Sequence, residues 1–141
     1  MRVFRAGTSC HPEGTVLIVD DNEDSIAAVR TLFELCGVTV VAARDGAEAI
    51  VLLLQGLTPG LIVLDLMMEG MDGEAFRRVQ LAHAVWSEIP VAVLTGVREN
   101  PPVLAKRLDL PVDNVLLKPA SPDVLCALVT RHCLGMPAGR A

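Results

Sequence analysis

Apolar residues in this chain fall into short unbroken runs, separated by longer stretches in which they recur every three or four positions. The unbroken runs are Thr15–Val19, 38–42, Leu61–Leu64, 91–94 and Val115–Leu117, rich in Val, Leu and Ile. Runs of that length predict buried strands. After the first run, Ile26, Val29, Phe33 and Cys36 repeat at helical spacing, and Gly37 is placed to end that helix. A second helix is predicted from Asp45-Gly46, with Ala47, Ile50, Val51 and Leu54 on one face and Gly56 and Pro59 closing it. Asp72 can cap a third, with Phe76, Val79, Ala82 and Trp86 turned inward. Pro101-Pro102 suits the start of a fourth that ends near Leu108, where missing N–H groups do no harm. Ser121-Pro122 suits the start of the fifth, with Leu125, Leu128 and Val129 buried.

Strand and helix therefore alternate as (βα)5, an α/β pattern. Near-continuous apolar strands require a parallel sheet covered on both faces. Right-handed crossovers then give an open, doubly wound sheet. The expected strand order is the flavodoxin-like 2-1-3-4-5, with the first and third strands adjacent at the switch point. Ligands bind at the carboxyl ends of the strands in such sheets.

The polar residues that end the runs carry the candidate chemistry. The first run leads into Asp20-Asp21, the third into Asp65, the fourth into Thr95 and the fifth into Lys118-Pro119. Taken singly, each has a plain structural reading as a helix start, a turn or a surface dipeptide. Taken together, they would bring three carboxylates, a hydroxyl and an ammonium to one edge. A carboxylate such as Asp65 can attack phosphorus and form an acyl phosphate. Asp20, Asp21 and Asp65 make a hard oxygen site suited to Mg²⁺. Lys118 supplies fixed positive charge, and Thr95 supplies a hydroxyl donor to a phosphoryl oxygen. Phosphoryl transfer is mostly positioning and charge stabilisation, so these groups are of the right kind.

Composition narrows the picture further. A chain of 141 residues is one domain by length, with residues 1–14 as an N-terminal extension, 15–133 as the domain and 134–141 as a tail. That tail is too short for an output domain. With 52% hydrophobic residues and only 3% aromatics, the core must be aliphatic. A net charge of −5 without a basic run argues against direct nucleic-acid binding. No apolar stretch reaches the length of a membrane span, and residues 1–14 make a poor signal peptide, so the expected location is the cytoplasm. Cys10, Cys36, Cys126 and Cys133 form no CxxC pair and no zinc spacing, which predicts reduced thiols. His83, His132 and Trp86 are expected to be structural.

The motifs Val16-Leu17-Ile18-Val19-Asp20-Asp21-Asn22, Asp45-Gly46-Ala47-Glu48-Ala49, Leu64-Asp65-Leu66-Met67-Met68, Met71-Asp72-Gly73, Pro90-Val91-Ala92-Val93-Leu94-Thr95-Gly96 and Leu117-Lys118-Pro119 closely resemble the receiver domain of bacterial two-component response regulators. The resemblance spans about residues 15–133. It implies that Asp65 is the phosphoacceptor and that Asp20, Asp21, Asp65 and the Met67 backbone carbonyl hold Mg²⁺. It also implies that Thr95 and Lys118 contact the phosphoryl group. The implied donor is a sensor histidine kinase or a histidine phosphotransfer protein, with an unknown protein as downstream target. On this basis the chain is expected to be a single-domain response regulator rather than a turnover enzyme.

The sequence departs from the family in its output region. An aromatic residue usually stands three before the lysine, where this chain has Val115. The usual Gly-Ala pair before that strand is Pro111-Val112, and the usual Pro after the acceptor is Glu69. The aromatic rotamer switch is therefore absent in its normal form. Met67 and Val97 occupy the two positions that tune dephosphorylation in the family, and both are apolar. This predicts a long-lived acyl phosphate. Three other readings compete: a pseudo-receiver that binds partners without phosphorylation, a receiver cut from a hybrid kinase, and an aspartyl-phosphate phosphatase of the haloacid dehalogenase type. Asp65-Leu66-Met67 lacks the second Asp of that phosphatase motif.

Overall fold

The computed structural model describes residues 14–96 and 98–133, so Cys10, most of the N-terminal extension, Val97 and the 134–141 tail lie outside the described residues. Five strands and five helices alternate: β1 (Thr15–Val19), α1 (Glu23–Leu35), β2 (Thr39–Ala43), α2 (Gly46–Leu54), β3 (Leu61–Leu64), α3 (Gly73–Ala82), β4 (Val91–Thr95), α4 (Pro101–Leu108), β5 (Val115–Leu117) and α5 (Pro122–Cys133). All strand pairs are parallel, in the order β2-β1-β3-β4-β5. This is the flavodoxin-like doubly wound sheet that the run pattern predicts.

The pleat divides the apolar runs between two faces. Val16, Ile18, Leu61, Val63, Ala92 and Leu94 pack beneath α1 and α5, with Phe33, Leu125 and Val129. Leu17, Val19, Ile62 and Leu64 pack on the other face with Ala49, Leu53, Phe76 and Trp86. Val93 and Val115 extend that face beneath α4, with Leu104 and Leu108. Burial of alternate residues on both faces explains why the strands read as unbroken apolar runs.

Helix starts follow local chemistry. Asn22, Asp45, Asp72 and Asn100 cap α1 to α4 by accepting a backbone N–H three residues on. Gly37 takes a positive φ of 96° just past α1, a conformation costly for other residues.

Two helices present different faces from those predicted. In α2 the buried residues are Gly46, Ala49 and Leu53, whereas Val51 and Leu54 are exposed and Ala47 also faces out. The run Ala49-Ile50-Val51-Leu52-Leu53-Leu54 has no polar phase to orient it. The N-terminus sets the rotation instead: a Cβ on Gly46 would collide with the side chains of Met71 and Phe76. In α3 the inward face is Phe76, Arg77 and Gln80 rather than Val79 and Ala82. Arg77 is buried with three acceptors around its guanidinium. It donates to the Leu108 carbonyl at 2.9 Å, the Asp109 carbonyl at 2.8 Å and Gln80 Oε1 at 2.7 Å. Gln80 Nε2 in turn donates to the Trp86 and Ile89 carbonyls. This chain of bonds ties α3 to the end of α4. Trp86 lies beyond α3 in a short 3₁₀ turn, buried and stacked on His83.

The expectation of reduced thiols is corrected at one pair. Cys36 and Cys126, 90 residues apart in sequence, form a disulfide between the end of α1 and α5, with Cα atoms 6.5 Å apart. Sequence spacing could not reveal the pair, because only the packing of α1 on α5 brings it together. Cys133 is a free, buried thiol as expected.

Candidate functional site

The sheet register delivers the predicted residues to one edge. The Asp65 N–H donates to the Val19 carbonyl, and the Lys118 N–H donates to the Thr95 carbonyl, each at 2.9 Å. The parallel ladders thus continue past the strand ends and fix where each side chain leaves the backbone.

Oxygens of Asp20, Asp21 and Asp65 lie within 4.8 Å of one another. Asp20 and Asp65 are buried, Asp21 is exposed, and Thr95 is fully buried. Lys118 Nζ reaches across from β5 to Asp20 Oδ2 at 2.9 Å and to Asp65 Oδ2 at 3.6 Å. Thr95 interacts with the Asp65 carboxyl and favours its ionised form. Every polar side chain singled out from the sequence therefore converges on one cluster.

Backbone donors orient the acids. The Asn22 N–H donates to Asp20 Oδ1 at 2.9 Å, the Met67 N–H to Asp65 Oδ1 at 3.2 Å, and the Glu69 N–H to Asp21 Oδ2 at 3.2 Å. The Asp65 carboxyl is held above its ordinary value, first by burial and then by the charge of Asp20. The Met67 N–H, Lys118 and Thr95 pull it the other way without reversing the shift. Three carboxylates against one ammonium leave the cluster negative. Its donors are all hard oxygens, the set that suits Mg²⁺ and not a soft metal.

Three contributors escaped the sequence reading. Ser25, one turn into α1, accepts from Lys118 Nζ at 3.3 Å and so gives the lysine a second anchor. Nothing in its sequence context marks it, since the contact spans the sheet edge. Gly73 approaches Asp65 from behind, and a Cβ there would collide with the Asp65 carbonyl oxygen and Leu66 Cα. Gly46 donates its N–H to the Met71 carbonyl at 2.9 Å, pinning the loop that follows Asp65. The recurring Asp-Gly pairs at 45–46 and 72–73 were the available signal for the last two.

A buried acid at the switch point of a doubly wound sheet, beside two further acids and a lysine from the edge strand, makes an oxygen-rich cluster that could hold a metal ion. Residues 16–130 match the family model of the response regulator receiver domain. The chain belongs to that family.

Among curated relatives, it is 36% identical over 104 residues to the "Regulator of RpoS" of Escherichia coli, covering 74% of this chain and 30% of that protein. It is also 36% identical over 119 residues to the "Transcriptional regulatory protein PrrA" of Mycobacterium tuberculosis, covering 82% of this chain and 47% of that protein. The chain thus spans between about a third and a half of the length of these relatives. Among solved structures, it resembles the receiver domain of a signal transduction histidine kinase from Syntrophus aciditrophicus, with a TM-score of 0.73 and 29% identity over 91% of this chain and 96% of that one. A Francisella response regulator receiver domain superposes with a TM-score of 0.74 at 27% identity, covering 86% of this chain and 98% of the other. The chain is a receiver domain of two-component signalling, and among the described residues no helix is long and apolar enough to cross a membrane.

Proposed function

We propose that Asp65 accepts a phosphoryl group from the phosphohistidine of a sensor histidine kinase or a histidine phosphotransfer protein, and that the phosphorylated chain signals by altered binding to a downstream protein. The observation that supports this best is the meeting of Asp65 with Asp20, Asp21 and the Lys118 ammonium at one sheet edge. In the step, an Asp65 carboxylate oxygen forms the new bond to phosphorus. The P–N bond of the donor breaks, and its electron pair stays on the imidazole, which takes a proton. Lys118 sits where it balances charge gathering on the phosphoryl oxygens, and Thr95 offers its hydroxyl to one of them. The reaction is self-catalysed on the chain's own residue, with no turnover of a separate substrate.

Asp20, Asp21, Asp65 and the Met67 backbone carbonyl would hold Mg²⁺. When bound, that ion offsets the repulsion between the acid cluster and an incoming phosphoryl group. The location in keeping with such a donor is the cytoplasm, and the acidic balance of −5 favours a protein target over nucleic acid.

The readout differs from one based on an aromatic switch. Val115 is buried beneath α4 and has no ring to follow Thr95. Absence of NMR shift changes over residues 104–117 on phosphorylation would exclude output through α4 and β5. Met67 is 67% exposed and apolar, so it offers no group to orient an attacking water at Asp65. The acyl phosphate should therefore be long-lived, and Met67→Asn with Val97→Glu should shorten its half-life; an unchanged decay rate would count against this.

Intact-mass detection of acetyl-phosphate labelling with Mg²⁺ tests the core reading. A labile adduct is expected in wild type and not in Asp65→Asn. Lys118→Ala should slow labelling on the order of 10²-fold. A folded wild type that binds Mg²⁺ and takes no phosphoryl group from either acetyl phosphate or a phosphohistidine protein would overturn the reading.

A further inference from the structure

Cys36 and Cys126 join two helices that also wall an apolar cavity of about 560 Å³. Leu32, one turn before Cys36, lines it from α1, and Leu125, adjacent to Cys126, lines it from α5. Ser25 and Lys118 lie at the same cavity, so it opens directly beside the site.

Both cysteines are only half-buried, whereas Cys133 is buried in the core. Burial also pushes the Cys133 thiol up to about 12, which leaves it inert as a nucleophile. The seam between α1 and α5 is already packed by Val29, Phe33, Leu125, Leu128 and Val129. The fold there rests on apolar contacts, so the helices stay folded and packed without the bridge, which acts only on how tightly their ends are held. Cα atoms 6.5 Å apart lie within the range that a disulfide spans.

We propose that Cys36 and Cys126 are a reversible thiol–disulfide site, oxidised by a peroxide and reduced by a dithiol, that fixes or frees the walls of the cavity beside Lys118. In oxidation, one cysteine gives its proton to solvent, its thiolate attacks a peroxide oxygen and the O–O bond breaks, giving a sulfenic acid and hydroxide. The second cysteine likewise loses its proton and its thiolate attacks that sulfur, the S–S bond forms and hydroxide leaves; the two hydroxides take up the two released protons as two waters. The two thiols lose two electrons, and the peroxide gains them. A dithiol reverses the bridge by exchange through a mixed disulfide and is itself oxidised.

The effect on phosphotransfer rests on the reading of Asp65 given above; the thiol chemistry does not. The experiment treats the full chain with hydrogen peroxide or with dithiothreitol, blocks free thiols with N-ethylmaleimide, and maps the peptides. Oxidised wild type and Cys133→Ser should yield a peptide linking Cys36 to Cys126, lost on dithiothreitol treatment of the folded protein. Cys36→Ser and Cys126→Ser should not yield it. Amide hydrogen exchange over residues 25–36 and 119–126 should be slower in the oxidised form. Acetyl-phosphate labelling should differ between oxidised and reduced wild type by about fivefold or more, and not in Cys36→Ser.

Absence of the linked peptide, or a bridge that opens only on unfolding, would overturn the redox site. Equal exchange and equal labelling in the two forms would overturn its control of the cavity walls. Failure of labelling in both forms would strike the phosphoacceptor reading instead, and the peptide map would still decide the thiol chemistry.

Discussion

Burial pushes the Asp65 carboxyl above its ordinary value, and the charge of Asp20 acts in the same direction. The folded chain then holds that proton more tightly than the unfolded chain does. Ionising Asp65 near neutral pH therefore opposes folding. This penalty is complete above the raised folded value and vanishes below the unfolded value of about 4. In metal-free buffer at pH 7, Asp65→Asn should melt at a higher temperature than wild type, with the gap closing as the pH falls toward 4. Thermal melts across that range decide it, and an Asn variant no more stable at pH 7 would show that Lys118 fully offsets the burial. The single Trp86, buried and stacked on His83, supplies the fluorescence signal. The meeting of Asp20, Asp21, Asp65, Thr95 and Lys118 at one sheet edge was legible because each one follows an apolar run. Ser25 was not, because its contact with Lys118 joins positions 93 residues apart and has no local pattern.

At the level of elements, the strands were readable and two helix faces were not. A strand buried on both sides needs only an apolar run, and β1, β3 and β5 begin and end where the runs do. A helix needs a phase, and α2 has none along its apolar half. Val51→Lys and Leu54→Lys should each change stability by less than about 0.5 kcal/mol. Leu53→Ala should cost about 2–5 kcal/mol by denaturant melts. A large loss at Val51 and none at Leu53 would reverse the assigned face. In α3 the pattern failed for the opposite reason, since its inward positions include Arg77 and Gln80. Arg77→Met keeps most of the volume but leaves the Leu108 and Asp109 carbonyls and Gln80 Oε1 short of a donor. It should cost about 2–4 kcal/mol, against less than about 0.5 kcal/mol for the exposed Arg78→Met. Equal effects of the two would show that the buried bonds contribute nothing net.

For the whole molecule, a metal ion held by the acid cluster would link its binding to folding. Asp20-Asp21 and Asp65 come from adjacent strands, so a cation held between them favours the closed sheet edge. Mg²⁺ at a hundred times its dissociation constant should stabilise the domain by about 2.7 kcal/mol. The gain should be much smaller in Asp21→Asn, and an equal gain would place the ion elsewhere. Alternation and crossover handedness made the open doubly wound sheet legible, and the order 2-1-3-4-5 came from the usual flavodoxin-like arrangement of five such strands. The α1–α5 disulfide was not legible, because it depends on helix packing across 90 residues. The lysine bond to Asp20 spans 98 residues and comes from β5, the last strand among the described residues and an edge of the sheet. During synthesis, the acids therefore emerge long before their ammonium. A ribosome-bound chain that ends before β5 carries the three acids without their counter-charge. The cluster of acids and ammonium is assembled only once that strand has docked, so its geometry is among the last features of the domain to form.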